Sequence, residues 1–164
     1  MTINTPHIVL GQLLETILEL TEKLHVQLTR EAVALGQRDS QAVATLSAEK
    51  QSLVGELGML TLRLETWLRS MGYATGKDSM VDVLGKMKIE GQPASEMIAR
   101  WARVCEISSQ CKILNEANGA RIELLNLHFR RAMQILSGQA HPTQTYGPDG
   151  SAKRDITNHS LVSV

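Results

Sequence analysis

The amino-acid sequence predicts an all-α protein: an elongated antiparallel helical hairpin within a bundle of three long helices and one short one, followed by a disordered C-terminal tail. Composition is the first sign. Hydrophobic residues make up 43% of the 164 positions and aromatic residues only 3%. A core of Leu, Ile, Val, Met and Ala suits helix-on-helix packing better than a β-sandwich or an α/β sheet. The second sign is spacing. Over three long stretches, apolar residues recur by alternating threes and fours, the 3.5-residue average of coiled-coil packing. A strand cannot use that spacing, because its side chains change face at every residue. The length is one domain's worth, enough for a core without staples.

Asn4-Thr5-Pro6 opens the first helix with a capping side chain and a first-turn proline. This helix spans about 5–36, with Leu10, Leu14, Ile17, Thr21, Leu24, Leu28, Glu31 and Leu35 at heptad spacing, widened by Leu13 and Leu20. Gly36 reads as its C-terminal cap, and Asp39 or Ser40 as the cap of the next helix. The second helix, about 40–71, sets Val43, Leu46, Lys50, Leu53, Leu57, Leu60, Leu64, Trp67 and Met71 on one seam, interrupted only by Lys50. A loop of about four residues makes the two helices antiparallel, each about 48 Å long. Gly55 and Gly58, inside the second helix, suggest a close approach to a neighbour.

After Met71 the pattern breaks in a Gly72–Lys77 loop, and a short helix follows over about 79–88. Ser79 and Asp82 have capping-box spacing, and Met80, Val83, Leu84 and Met87 form a small apolar face. Gly91-Gln92-Pro93 ends it. The third long helix runs over about 94–137, with Met97, Trp101, Val104, Ile107, Cys111 and Leu114 inward. Asn115, Asn118 and Gly119 fall on or beside this seam. They mark a shift of seam or mild kink, a point where the helix leaves the hairpin, or a buried amide that fixes register. The stripe then resumes with Ile122, Leu125, Phe129, Met133 and Leu136. At about 66 Å this helix is longer than either arm of the hairpin, leaving apolar surface without an obvious partner inside the chain. Residues 1–137 thus form the helical bundle. Residues 138–164, aperiodic and rich in turn formers, are expected to be a flexible tail.

Several function classes lack support. Seventeen basic and seventeen acidic residues cancel, so no charge excess points to nucleic acid. MTINTPHIVLGQ is not a secretory leader by pattern, and no run of about 20 apolar residues predicts membrane insertion. Cys105 and Cys111 lie on different sides of one helix and read as reduced packing thiols. Glu22 and His25 have the Glu-x-x-His spacing of di-iron bundles, but the nearest second pair, Glu123 with Asn126, lacks the histidine. No phosphate loop, dinucleotide fingerprint or nucleophile elbow occurs. The reading is non-enzymatic, without cofactor or metal.

The end of the chain is more specific. Asn115-Glu116-Ala117-Asn118-Gly119, running through Leu136-Ser137-Gly138 into Thr145-Tyr146-Gly147-Pro148-Asp149-Gly150, resembles the C-terminal region of the FlgN family of flagellar type III export chaperones. In that family an Asn-x-x-Asn-Gly-like element opens the last helical segment and a Tyr-Gly-x-Asp-Gly element follows in the tail. The resemblance implies a cytoplasmic chaperone that binds the C-terminal helices of hook–filament junction proteins, keeps them from assembling early and delivers them to the export gate. The stripe Ile122, Leu125, Phe129, Met133 and Leu136 is the expected cargo-binding surface, by helix-in-groove packing. Tyr146 is the residue that the resemblance implies docks on the cytoplasmic domain of the gate. The alternatives are a helical adaptor or self-associating coiled coil without secretion cargo, and a more distant all-helical metalloenzyme.

Overall fold

The computed structural model describes residues 6–89 and 94–137, and the backbone at 145–146 and 152–153. Four helices, α1 (Pro6–Gln37), α2 (Ser40–Ser70), α3 (Lys77–Ile89) and α4 (Ala94–Leu136), account for nearly all of them. The fold class is all-α. The chain divides into two compact units, Met1–Gly119 and Ala120–Val164, so the division falls within α4.

In the first unit α1 is flanked by α2 and α4. Its seam is buried at Leu10, Leu14, Ile17, Thr21, Leu28, Glu31 and Leu35. A second heptad row, Leu20, Gln27 and Ala34, is buried beside it, as a helix with two long partners requires. The partners of α1 descend α2 as they ascend α1. Val9 and Leu13 share a groove with Trp67 and Ser70, Gln27 hydrogen-bonds Glu49, and Glu31 meets Lys50. The hairpin is therefore antiparallel. The register with α4 is the opposite. Arg100 donates to the Gly11 carbonyl at 3.3 Å, the Cys111 thiol to the Thr21 carbonyl at 3.8 Å, and Asn118 to the Leu28 carbonyl at 2.9 Å. The last two contacts repeat after one heptad, so α1 and α4 run parallel.

The main core lies at the end where α3 joins the others. Leu10, Leu14 and Ile17 meet Leu64 and Leu68 of α2, Met80, Val83 and Leu84 of α3, and Met97 and Val104 of α4. Leu68, off the predicted α2 seam, is the most buried residue of that helix, while seam residue Met71 is exposed. Leu68 belongs to the core cluster that also takes in Met80, Val83 and Leu84 of α3. Gly55 and Gly58 do not meet a neighbour: nothing stands within 4 Å of a Cβ built at either position.

Both helix ends in this unit close with the same double hydrogen bond. After α2, Gly72 N–H bonds the Arg69 carbonyl at 3.0 Å and Tyr73 N–H the Leu68 carbonyl at 3.0 Å. Gly72 takes the left-handed conformation, φ 80°, that this Schellman closure demands. After α1, Arg38 N–H bonds Leu35 at 3.3 Å and Asp39 N–H bonds Ala34 at 3.0 Å. Here the left-handed residue is Arg38, φ 58°, and not the expected Gly36. Asp39 is committed to capping α2, its carboxylate accepting from Ala42 N–H at 3.0 Å, so the reversal falls on the residue before it. The short helix also starts earlier than expected, at Lys77. Gly76, at φ 129°, makes the sharp bend, and Ser79 lies inside the helix instead of capping it.

The Asn4-Thr5 cap and the Gly91-Gln92-Pro93 stop lie outside the described residues. So does the predicted disordered tail, except at β1 (Thr145–Tyr146) and β2 (Ala152–Lys153), which pair antiparallel with Tyr146 opposite Ala152.

Candidate recognition surface

The stripe residues all fall in the α4 segment of the second unit. Every residue there from Ala120 to Leu136 is helical, which places Ile122, Leu125, Phe129, Met133 and Leu136 on one face. Ile122 and Leu125 are half-buried, whereas Phe129, Met133 and Leu136 expose 66%, 49% and 81% of their surface. Isolated exposed leucines are ordinary; a contiguous row of large apolar side chains with a phenylalanine at its centre is a candidate contact surface. Tyr146 lies in β1 of the same unit, held there by backbone pairing with Ala152. The five stripe residues are thus brought together, while the Tyr146 side chain lies outside what is described.

In the first unit, a polar cluster occupies the level of α4 just before this segment. Glu31 is 1% exposed, yet carries a carboxylate. Lys50 Nζ donates to its two oxygens at 2.8 and 3.0 Å, Ser47 Oγ at 3.0 Å and Asn118 Nδ2 at 3.0 Å. Burial alone would raise the Glu31 carboxyl. The bonds from Lys50, Asn118 and Ser47, with the charge of Lys50, outweigh it and hold the group below its ordinary value. Asn118 is also buried, and its Oδ1 lacks a hydrogen-bond partner. Of the readings open for Asn115, Asn118 and Gly119, a buried amide is present: Asn118 points inward and Asn115 outward. Such a cluster ties three helices at one level.

The pairing of Glu31 with Lys50 was missed in the sequence, although both residues stand at seam positions. Its signal was two opposite charges on inward faces of antiparallel neighbours. Elsewhere, Glu22 is exposed and His25 half-buried. Among the described residues, no group of three or more His, Cys, Asp or Glu is placed to hold a metal. None of the described helices is long and apolar enough to cross a membrane. Burial raises the pKa of Cys111, which makes its thiolate scarce.

Comparison with known families decides the relationship. The family model described as FlgN protein matches residues 9–154, from the start of α1 through β2. The chain belongs to the FlgN family. FlgN proteins are flagellar export chaperones, and the match takes in both the Asn115–Gly119 element and the segment around Tyr146. No curated protein and no solved structure matches the chain.

Proposed function

We propose that this FlgN-family chain is a non-enzymatic cytoplasmic chaperone for hook–filament junction proteins. It binds their C-terminal helical segments, prevents premature assembly and carries them to the flagellar type III export gate. The observation that carries the reading is the exposed row Ile122, Leu125, Phe129, Met133 and Leu136 in a chain of an export-chaperone family. Helical segments destined for a coiled coil expose an apolar seam before assembly, and a second apolar helix face covers such a seam. Tyr146 is assigned to docking on the cytoplasmic domain of the gate, a task for which a tyrosine combines large contact area with few rotatable bonds.

The test is co-purification with the C-terminal region of a junction protein, comparing the native chain with Leu125→Ser/Phe129→Ser. Removing these two side chains should weaken binding by about 2–4 kcal/mol, as for interface hot spots. Thermal stability should change little, because Phe129 is mostly exposed. A collapse of melting temperature with affinity per folded molecule unaltered would return both residues to the core. Self-association without capture of any junction protein would favour the coiled-coil adaptor.

A further inference from the structure

The outer side of α2 carries no charge. At about 100° per residue, Ala48, Ser52, Gly55, Met59, Leu62 and Thr66 fall within an arc of about 80°, turned away from the seam that faces α1. The other residues of α2 in that arc are Gln41, Ala44 and Ser70, so no ionisable side chain lies on it from one end of the helix to the other. All of these residues are exposed, and Met59 and Leu62 show 68% and 58% of their surface. The wet side of a helix ordinarily carries its charges. Here they stand on the borders instead, with Glu49, Glu56 and Arg63 along one and Glu65 and Arg69 along the other. Alternating steps of four and three with charged borders are the layout of a coiled-coil seam.

We propose that this outer face of α2 is a homodimer interface, paired antiparallel with the same face of a second copy of the chain. The strip is complementary to itself in that arrangement. With Met59 of each copy level with Gly55 of the other, Leu62 comes level with Ser52 and Thr66 with Ala48, so each large side chain meets a small residue. Gly55 has open space where a Cβ would stand and can receive Met59 closely. A parallel pair in register would set Met59 on Met59 and Gly55 on Gly55, a crowded layer beside a void. The antiparallel pair also brings Arg63 of each copy beside Glu49 and Glu56 of the other, attractions that outnumber the one approach of Glu56 to its own counterpart. Among the described residues, neither Glu56 nor Arg63 has an ion-pair partner within its own chain. A strip about 44 Å long and about 10 Å wide gives roughly 900 Å² over two copies, below the about 1,200 Å² where standard specific interfaces begin. The dimer is therefore a reversible one. This inference is independent of the assignment of the α4 stripe to cargo.

The experiment is sedimentation velocity of the full-length chain from low to high micromolar concentration, with helicity followed by circular dichroism. The native chain should pass from monomer to dimer as concentration rises. Met59→Glu/Leu62→Glu should stay monomeric at native helicity, both positions being exposed. Gly55→Leu separates a fitted pairing from plain stickiness. It adds apolar surface and a better helix former, yet should weaken the dimer at least tenfold because Met59 loses its place. Arg63→Glu should weaken the dimer several-fold, and Glu49→Arg/Glu56→Arg/Arg63→Glu should restore it. A native chain that is monomeric at every concentration would overturn the proposal and leave the chaperone reading standing. So would a dimer that survives Met59→Glu/Leu62→Glu, or one that Gly55→Leu tightens. Loss of junction-protein binding in Met59→Glu/Leu62→Glu, with the native chain monomeric, would give the face to a different protein and overturn it too.

Discussion

Asn118 on α4 donates its side-chain amide to the buried Glu31 carboxylate on α1 at 3.0 Å, a bond between residues 87 apart in the chain. Lys50 on α2 reaches the same carboxylate at 2.8 Å. Each of the three interrupts an apolar seam, and each alone would be an unsatisfied polar group in a helical core. Brought to one level, Lys50 and Asn118 supply the Glu31 carboxylate with donors and tie three helices together, while Asn118 Oδ1 stays without a partner. A one-heptad slip of any helix would bury Glu31 without its donors.

The first prediction concerns acid. The carboxyl of Glu31 is held below its ordinary value, so the folded chain binds this proton less tightly than the unfolded chain, whose value is about 4.3. Its stabilisation is complete above that pH and is lost as pH falls through the lower folded value. Glu31→Gln should be less stable than the native chain by about 3 kcal/mol at pH 7, the lower end for breaking a buried pair, since Lys50 can rehydrate. The gap should narrow below about pH 4.5. Urea melts at pH 7 and pH 3 measure it; a gap of equal size at both would show that the charge of Glu31 is not its source.

Asn118→Ala removes one donor from Glu31 and the bond to the Leu28 carbonyl, and should destabilise by about 1–3 kcal/mol. Lys50→Met acts on the same carboxylate. Together the two should depart from additivity by about 0.5–2 kcal/mol, the signature of a shared network. Additive losses would mean that Asn118 and Lys50 stabilise the fold independently.

Two backbone changes should stabilise the chain. Arg38 holds the left-handed position, φ 58°, that Gly72 fills after α2, so Arg38→Gly should gain about 0.5–1 kcal/mol by releasing side-chain strain. Gly58 sits mid-helix with open space around it. There Gly58→Ala should gain about 0.5–1 kcal/mol through a better helix former. Thermal melts of the single variants check both, and a fall in either would expose a contact not made by the described residues.

Much of this architecture was legible from residue spacing, and the exceptions have physical causes. The seam of α1 reads well because partners on two sides enforce its periodicity from Leu10 to Leu35. That of α2 reads less well: Leu53, Leu57 and Leu60 are only half-buried, and Leu68 is buried in a cluster shared with α3, whose placement no local pattern encodes. Glu31 and Lys50 could have been paired as opposite charges on the facing seams of an antiparallel hairpin. Asn118 could not, because the α1–α4 register depends on the path through α2, α3 and both connections. The stripe from Ile122 to Leu136 was legible as a row and, from the length of its helix, as apolar surface without a partner inside the chain. Spacing alone could not separate half-buried Ile122 and Leu125 from exposed Phe129, Met133 and Leu136.

Tyr146 supplies the last prediction. Tyr146→Ala should keep native helicity and bind junction-protein segments as the native chain does. The loaded complex should then bind the cytoplasmic domain of the gate several-fold more weakly, and secretion of the cargo should fall. Unchanged gate binding would remove Tyr146 from the docking surface, and lost cargo binding would move it to the capture surface.

The parallel register of α1 and α4 sets an order of events during synthesis. Arg100, Cys111 and Asn118 contact backbone made 89 or 90 residues earlier, whereas α1 and α2 are joined by a tight turn. The hairpin is complete at Ser70, and Asn118 follows about 50 residues later, roughly 2–10 s of translation at 5–20 residues per second. For that interval the flank of α1 that α4 will cover, with Leu28 on it, stands open on the nascent chain. Glu31 already has Lys50 and Ser47 by then, so a charged pair sits amid that uncovered apolar strip until Asn118 arrives.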